Sequence, residues 1–95
     1  MPDVVLTRAA ARDLERLIRT HSLPTATPQR VRRSLAILRE FPEVGVALRR
    51  RWEGYRFLIG PWRWMIIVYR YDASRDAAIV MRIFDGRSGA SPTGT

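Results

Sequence analysis

Residues 62–71 read Trp-Arg-Trp-Met-Ile-Ile-Val-Tyr-Arg-Tyr, and this stretch decides the fold. From Trp64 to Tyr69 it is apolar on both faces, which predicts a central strand covered on both sides. It falls far short of the ~20 apolar residues a membrane helix requires. On its N-terminal side Gly60-Pro61 is a turn, and Trp52 to Ile59 sets Tyr55, Phe57 and Ile59 against Gly54, Arg56 and Leu58, a strand-like alternation. On its C-terminal side Asp72 to Asp76 is a polar hairpin loop. Ala77 to Phe84 then sets Ile79, Met81 and Ile83 against Val80, Arg82 and Phe84, and Asp85-Gly86-Arg87 ends that strand.

Upstream the period changes from two to that of a helix. Val4-Val5-Leu6 is a short β-branched run, and Thr7 follows as a helix N-cap. Ala10, Leu14, Leu17 and Ile18 form one face of an amphipathic helix running to about His21, with Arg8, Arg12, Asp13, Arg16 and Arg19 elsewhere around it. Thr27 as cap and Pro28 at the first helical position start a second helix. Its apolar face is Val31, Leu35 and Leu38, and Phe41-Pro42 stops it. The expected fold is α+β, a small single domain of order β-α-α-β-β-β. A two-helix hairpin packs on one face of an antiparallel sheet. Residues 1–88 form the domain, and residues 89–95 are expected to be a flexible tail.

Ninety-five residues leave room for one core and no second. The absence of cysteine excludes a disulfide scaffold, a thiolate zinc site and a cysteine nucleophile. No cofactor or metal is expected. Met1-Pro2-Asp3 does not open a signal peptide, so a soluble cytoplasmic protein with no membrane partner is expected. All 17 basic residues are arginine, against nine acidic ones, and the net charge is +8. Arginine suits phosphate and carboxylate forks but exchanges protons poorly near neutral pH. A charge of this size on so small a body favours a polyanionic partner, either nucleic acid or an acidic protein.

The landmarks Leu6-Thr7 with Ala10 and Leu14, Leu38…Pro42…Gly45, Tyr55-Arg56…Gly60-Pro61-Trp62-Arg63, Ile67-Val68-Tyr69-Arg70-Tyr71-Asp72 and Ile83-Phe84-Asp85-Gly86-Arg87 occur in an informative order. In order and spacing the chain resembles the RelE/ParE superfamily of toxins from type II toxin–antitoxin pairs, over residues 4–88. The resemblance implies a cognate antitoxin that wraps the toxin with an acidic segment in a hetero-oligomer. It also implies one of two targets. ParE-like members poison DNA gyrase, whereas RelE-like members cleave messenger RNA on the ribosome. A basic nucleic-acid-binding module without toxicity is the third reading.

The resemblance also assigns residues. Arg63 matches the arginine of the family pattern G-Y-R-hydrophobic-hydrophobic-Y, and Arg87 matches the arginine after the last strand. In the nucleases these two hold the scissile phosphate, a role suited to a forked guanidinium. The alternatives are that Arg63 only flanks a turn and that Arg87 pairs with Asp85. RNA cleavage also needs a base and an acid. No lysine stands on the second strand, and no tyrosine, histidine or lysine follows Arg87. Glu43 and Glu53 are out of register with the family's glutamate, and His21 is far along the chain from either arginine, at a helix end where the dipole favours it. Tyr55, Tyr69 and Tyr71 are sheet-packing residues or, facing a cleft, proton carriers. Arg49-Arg50-Arg51 before Trp52 tracks a phosphate backbone with Trp52 stacked on a base, guards an edge strand, or meets an acidic partner. Arg56 and Arg82 extend that basic set. Trp62 and Trp64 are expected on one strand face, in the core or against the antitoxin.

Overall fold

The computed structural model describes residues 1–93. The chain runs β1 (Asp3–Leu6), α1 (Arg8–Thr20), α2 (Thr27–Leu35), β2 (Val46–Ala47), β3 (Arg56–Ile59), β4 (Met65–Asp72) and β5 (Ala77–Asp85). Short 3-10 turns cover Ala36–Arg39 and Arg50–Trp52. The sheet order is β1-β5-β4-β3-β2. The α+β order stands, but the sheet is mixed rather than antiparallel, because β1 pairs with β5 in parallel. The helices carry the chain across one face to the far edge, and β2 to β5 then step back by antiparallel pairings until β5 lies beside β1.

Met65 to Tyr69 are all buried, as the apolar run predicts, and β4 is the central strand. Ala10, Leu14 and Leu17 of α1 and Val31, Leu35 and Leu38 pack with Met65, Ile67 and Tyr69 on the helix side. The opposite side buries Ile66, Val68 and Phe84 under Leu48, Trp52, Tyr55 and Phe57. No helix among the described residues is long and apolar enough to cross a membrane.

Local differences have local causes. Thr7 caps α1 as expected, accepting from the Ala10 N–H at 3.1 Å. Thr27 does not cap α2: Ala26 holds that position, and the Thr27 hydroxyl is buried and donates to the Pro24 carbonyl at 2.6 Å. The strand expected from Trp52 begins only at Arg56. Arg50 (φ 59°) and Gly54 (φ 91°) both take left-handed backbone there, which breaks the extended run. Trp62 and Trp64 precede β4 and lie in its entry turn, stacked on each other with ring centroids 6.1 Å apart. In the segment after residue 88 Ser91 is buried and Ala90 exposed, and Gly94 and Thr95 lie outside the described residues.

Candidate functional site

β5 gathers side-chain contacts because its ladder is irregular. Val68 pairs with Arg82 and Tyr69 with Val80, so Met81 is an extra residue, a β-bulge. β1 ends opposite Val80, which leaves the rest of β5 without a strand on that side. Side chains replace the missing ladder. The Thr7 hydroxyl donates to the Met81 carbonyl at 3.1 Å, and Asp13 accepts from the Ile83 N–H at 2.9 Å. Asp13 also receives Arg82 through Nε at 2.7 Å and Nη2 at 3.1 Å, and Arg16 Nη2 at 2.8 Å. Burial pushes the Asp13 carboxyl up, but the hydrogen bonds from Arg82 and Ile83 outweigh it and hold it below the ordinary carboxylate value. The helical period sets Asp13 among the polar residues outside the apolar face, yet it is 2% exposed. Nothing in the helical period marks it, because its partner lies 69 positions away.

Arg87 meets Asp85 fork to fork, with Nε to Oδ1 at 2.9 Å and Nη2 to Oδ2 at 2.8 Å. The Arg87 guanidinium holds the Asp85 carboxyl well below the usual carboxylate range. The fold brings His21 to the same place despite its distance along the chain. His21 Nε2 is 3.1 Å from Asp85 Oδ2, Nδ1 is 3.0 Å from the Thr20 hydroxyl, and the ring stacks on Trp64 at 4.4 Å. Arg87 lies over Trp64 at 5.3 Å, and Arg30 lies over Trp62 at 4.5 Å. The sequence marks neither His21 nor Trp64 as a neighbour of Arg87. Aromatic side chains at the ends of separate elements leave no sequence signal of their meeting.

Arg63 is exposed in the turn before β4. The Trp64 carbonyl accepts from the Gly86 N–H, so Arg63 and Arg87 leave the sheet at the same end. The family pattern, however, sets its arginine three residues before a tyrosine. Three before Tyr69 stands Ile66, buried in the apolar sheet face, because the turn carrying Arg63 lies further upstream.

Two of the three candidate tyrosines have their hydroxyls engaged, whereas Tyr55 packs by its ring against Trp52. Tyr69 is fully buried and accepts from the Gly45 N–H at 2.9 Å, and burial pushes its phenol up. Tyr71 donates to Asp76 at 2.6 Å, a bond that also raises its pKa. Arg56 donates to the Gly45 carbonyl at 2.9 Å and stands 3.8 Å from Glu43, so it braces the loop before β2. Glu43, Glu53, Arg56 and Tyr71 line one open groove at the β2 edge of the sheet. Arg49, Arg50 and Arg51 are exposed, and with Trp52 they wall a depression closed by Gly89, Ser91 and Pro92. A neighbouring depression is lined by Arg51, Trp52, Tyr55, Arg82, Phe84 and Ala90. The predicted residues therefore divide between Arg63 and Arg87 at the β4 entry, Arg49 to Trp52 with Arg82 on the sheet face, and Arg56 at the start of β3, against the loop before β2.

The profile of the ParE toxin of type II toxin–antitoxin systems, parDE, matches residues 4–88. Among curated protein sequences none matches significantly. The chain is similar in structure to the RelBE2 toxin–antitoxin complex of Mycobacterium tuberculosis, at 26% identity and TM-score 0.63, covering 90% of this chain and 99% of that one. The chromosomal ParDE system of P. aeruginosa matches at 18% identity and TM-score 0.68, over 90% and 96% of the two chains. The intact E. coli RelBE complex matches at 10% identity and TM-score 0.64, over 90% and 96%, which shows a shared fold. With the family profile spanning nearly its whole length, the chain belongs to the ParE toxin family of type II toxin–antitoxin systems.

Proposed function

We propose that this toxin arrests growth by binding DNA gyrase, without cleaving RNA, and that a cognate antitoxin with an acidic wrapping segment neutralises it in the cytoplasm. The observation that carries this reading is the engagement of the proton-transfer groups beside Arg87 and of two of the three candidate tyrosines. Both ring nitrogens of His21 are bonded, Tyr69 is buried, Tyr71 is tied to Asp76, and Asp85 fills the fork of Arg87. General acid–base assistance contributes about 10²–10⁴ in rate, and guanidinium groups do not supply it. Electrostatic binding by the arginines needs no such group.

A second reading, ribosome-dependent messenger-RNA cleavage, draws on the groove where Glu43, Glu53, Arg56 and Tyr71 meet. Glu43 and Glu53 are exposed carboxylates beside a cation, a set that could exchange protons. The deciding experiment is a paired assay on one preparation, gyrase supercoiling beside primer extension on ribosome-bound message. Loss of supercoiling with intact message is the expected result. Discrete codon-position cuts with unaffected gyrase would establish the second reading.

A further inference from the structure

We propose that the sheet face between the Arg49–Trp52 loop and β5 is a binding site for one unpaired nucleotide, taking the base on its aromatic wall and the flanking phosphates on its arginines. The depression there is about 400 Å³, and its lining pairs three aromatic rings with two guanidiniums. Trp52 meets Tyr55 edge-on at 5.7 Å and Phe84 at 5.8 Å, so the indole is fixed as a rigid wall. Its Nε1 is buried, without a hydrogen-bond partner among the described residues, so what the indole offers a ligand in the depression is ring surface.

The cations are held by different means. Asp13 grips Arg82 through Nε and Nη2 and lays its guanidinium over Phe84 at 5.1 Å, which leaves Nη1 without a partner among the described residues. Arg50 takes a left-handed backbone (φ 59°) that folds the loop back, so Arg49, Arg50 and Arg51 wall the adjoining depression with Trp52. No carboxylate lines either depression. An aromatic wall beside a cationic track is how sequence-tolerant single-strand binding works, with stacking for the base and counterion release for the backbone. Charge complementarity therefore favours a nucleic-acid strand. DNA and RNA share this chemistry, and the test separates them.

The site is tested on the full chain without gyrase, so its failure is distinguishable from failure of the gyrase reading on which its biological use rests. Anisotropy of labelled dT12, U12 and an abasic strand of equal length measures binding, and the Trp52 indole N–H resonance reports the contact. The inference expects dT12 or U12 to bind at least about ten-fold more tightly than the abasic strand and to shift that resonance. The tighter of the two identifies the source of the nucleotide. Arg51→Ala should lower the salt slope by about one, whereas Arg19→Ala on the far surface of α1 should change it less. Trp52→Phe keeps a ring in the wall and should weaken binding of bases while leaving abasic binding unchanged. Equal binding of based and abasic strands, or equal loss in the Arg51 and Arg19 variants, would reduce the site to diffuse charge attraction and overturn the inference. Tighter binding of poly-glutamate, with displacement of dT12, would overturn it in favour of an acidic protein segment.

Discussion

His21 Nε2 lies 3.1 Å from Asp85 Oδ2, although 64 positions of sequence separate them. The contact joins the end of α1 to the end of β5, and Asp85 holds Arg87 by the same carboxylate oxygen. One acceptor thus fixes a helix end and a candidate functional arginine together. Asp85 also accepts from the Arg87 backbone N–H at 2.9 Å, so the chain turns around this carboxylate as it leaves the sheet.

Arg87→Ala should weaken growth arrest more than Arg19→Ala, with both variants folded. Arg87 keeps 64% of its side chain exposed although Asp85 grips it, so a partner can still reach its outer edge. Arg19 is exposed on α1, where substitutions usually cost under about 0.5 kcal/mol. The measurement is growth after induction at matched soluble yield. Equal arrest by both variants would remove Arg87 from the functional surface.

Asp13→Ala should destabilise the fold by about 1–3 kcal/mol, because it strands the buried Ile83 N–H, while the half-exposed Arg82 it unpairs can turn to solvent. Asp13→Asn keeps an acceptor and should cost less. Urea unfolding of the three proteins checks the order. A loss under about 1 kcal/mol for the alanine variant would mean that the bulge does not need its carboxylate.

The contrast between β4 and Asp13 shows what the sequence makes legible. Met65 to Tyr69 announce their burial because five neighbouring residues agree. The caps and periods of α1 are likewise local, and so the helix boundaries are readable. Asp13 and His21 act through partners 69 and 64 positions away, Trp64 meets His21 from a turn, and a charged residue in a helix carries no mark of the strand it meets. The parallel pairing of β1 was hidden for the same reason: Val4-Val5-Leu6 shows a strand, but its neighbour and direction are set by where the last strand arrives. The pairing of Arg87 with Asp85 is legible, because the two stand two positions apart, but the stack on Trp64 and the contact with His21 are not.

Gly45→Ala should destabilise the fold by about 1–3 kcal/mol. An added Cβ would stand 2.6 Å from Tyr69 Cε1, 2.7 Å from its hydroxyl and 2.8 Å from the Phe57 carbonyl. Tyr69 is fully buried and the Phe57 oxygen is backbone, so neither can swing away. Gly89→Ala meets nothing within 4 Å and serves as the neutral control. Thermal midpoints compare the two, and a Gly45 variant as stable as the Gly89 variant would show that the β2 loop shifts freely.

Stability should be flat from pH 7 to about pH 5 and fall steadily as pH drops through 3.8 and below. Asp13 and Asp85 both hold their carboxyls below the ordinary aspartate value of 3.8 in the folded chain, Asp13 chiefly through Arg82 and Ile83 against the effect of burial, and Asp85 chiefly through Arg87. A depressed folded-state value means that the unfolded chain takes up protons first as pH falls. The stabilisation is therefore complete above the unfolded value and is lost as pH descends toward the folded one. Asp13→Asn removes one of these titrations and should flatten the decline while lowering stability at pH 7. Asp85→Asn should flatten it with a smaller loss at pH 7, because Arg87 is exposed and solvent screens that pair. Urea midpoints at pH 7, 5, 4 and 3 decide the matter. A midpoint unchanged between pH 5 and 3 would show that neither carboxylate is held in the folded chain by the arginines beside it.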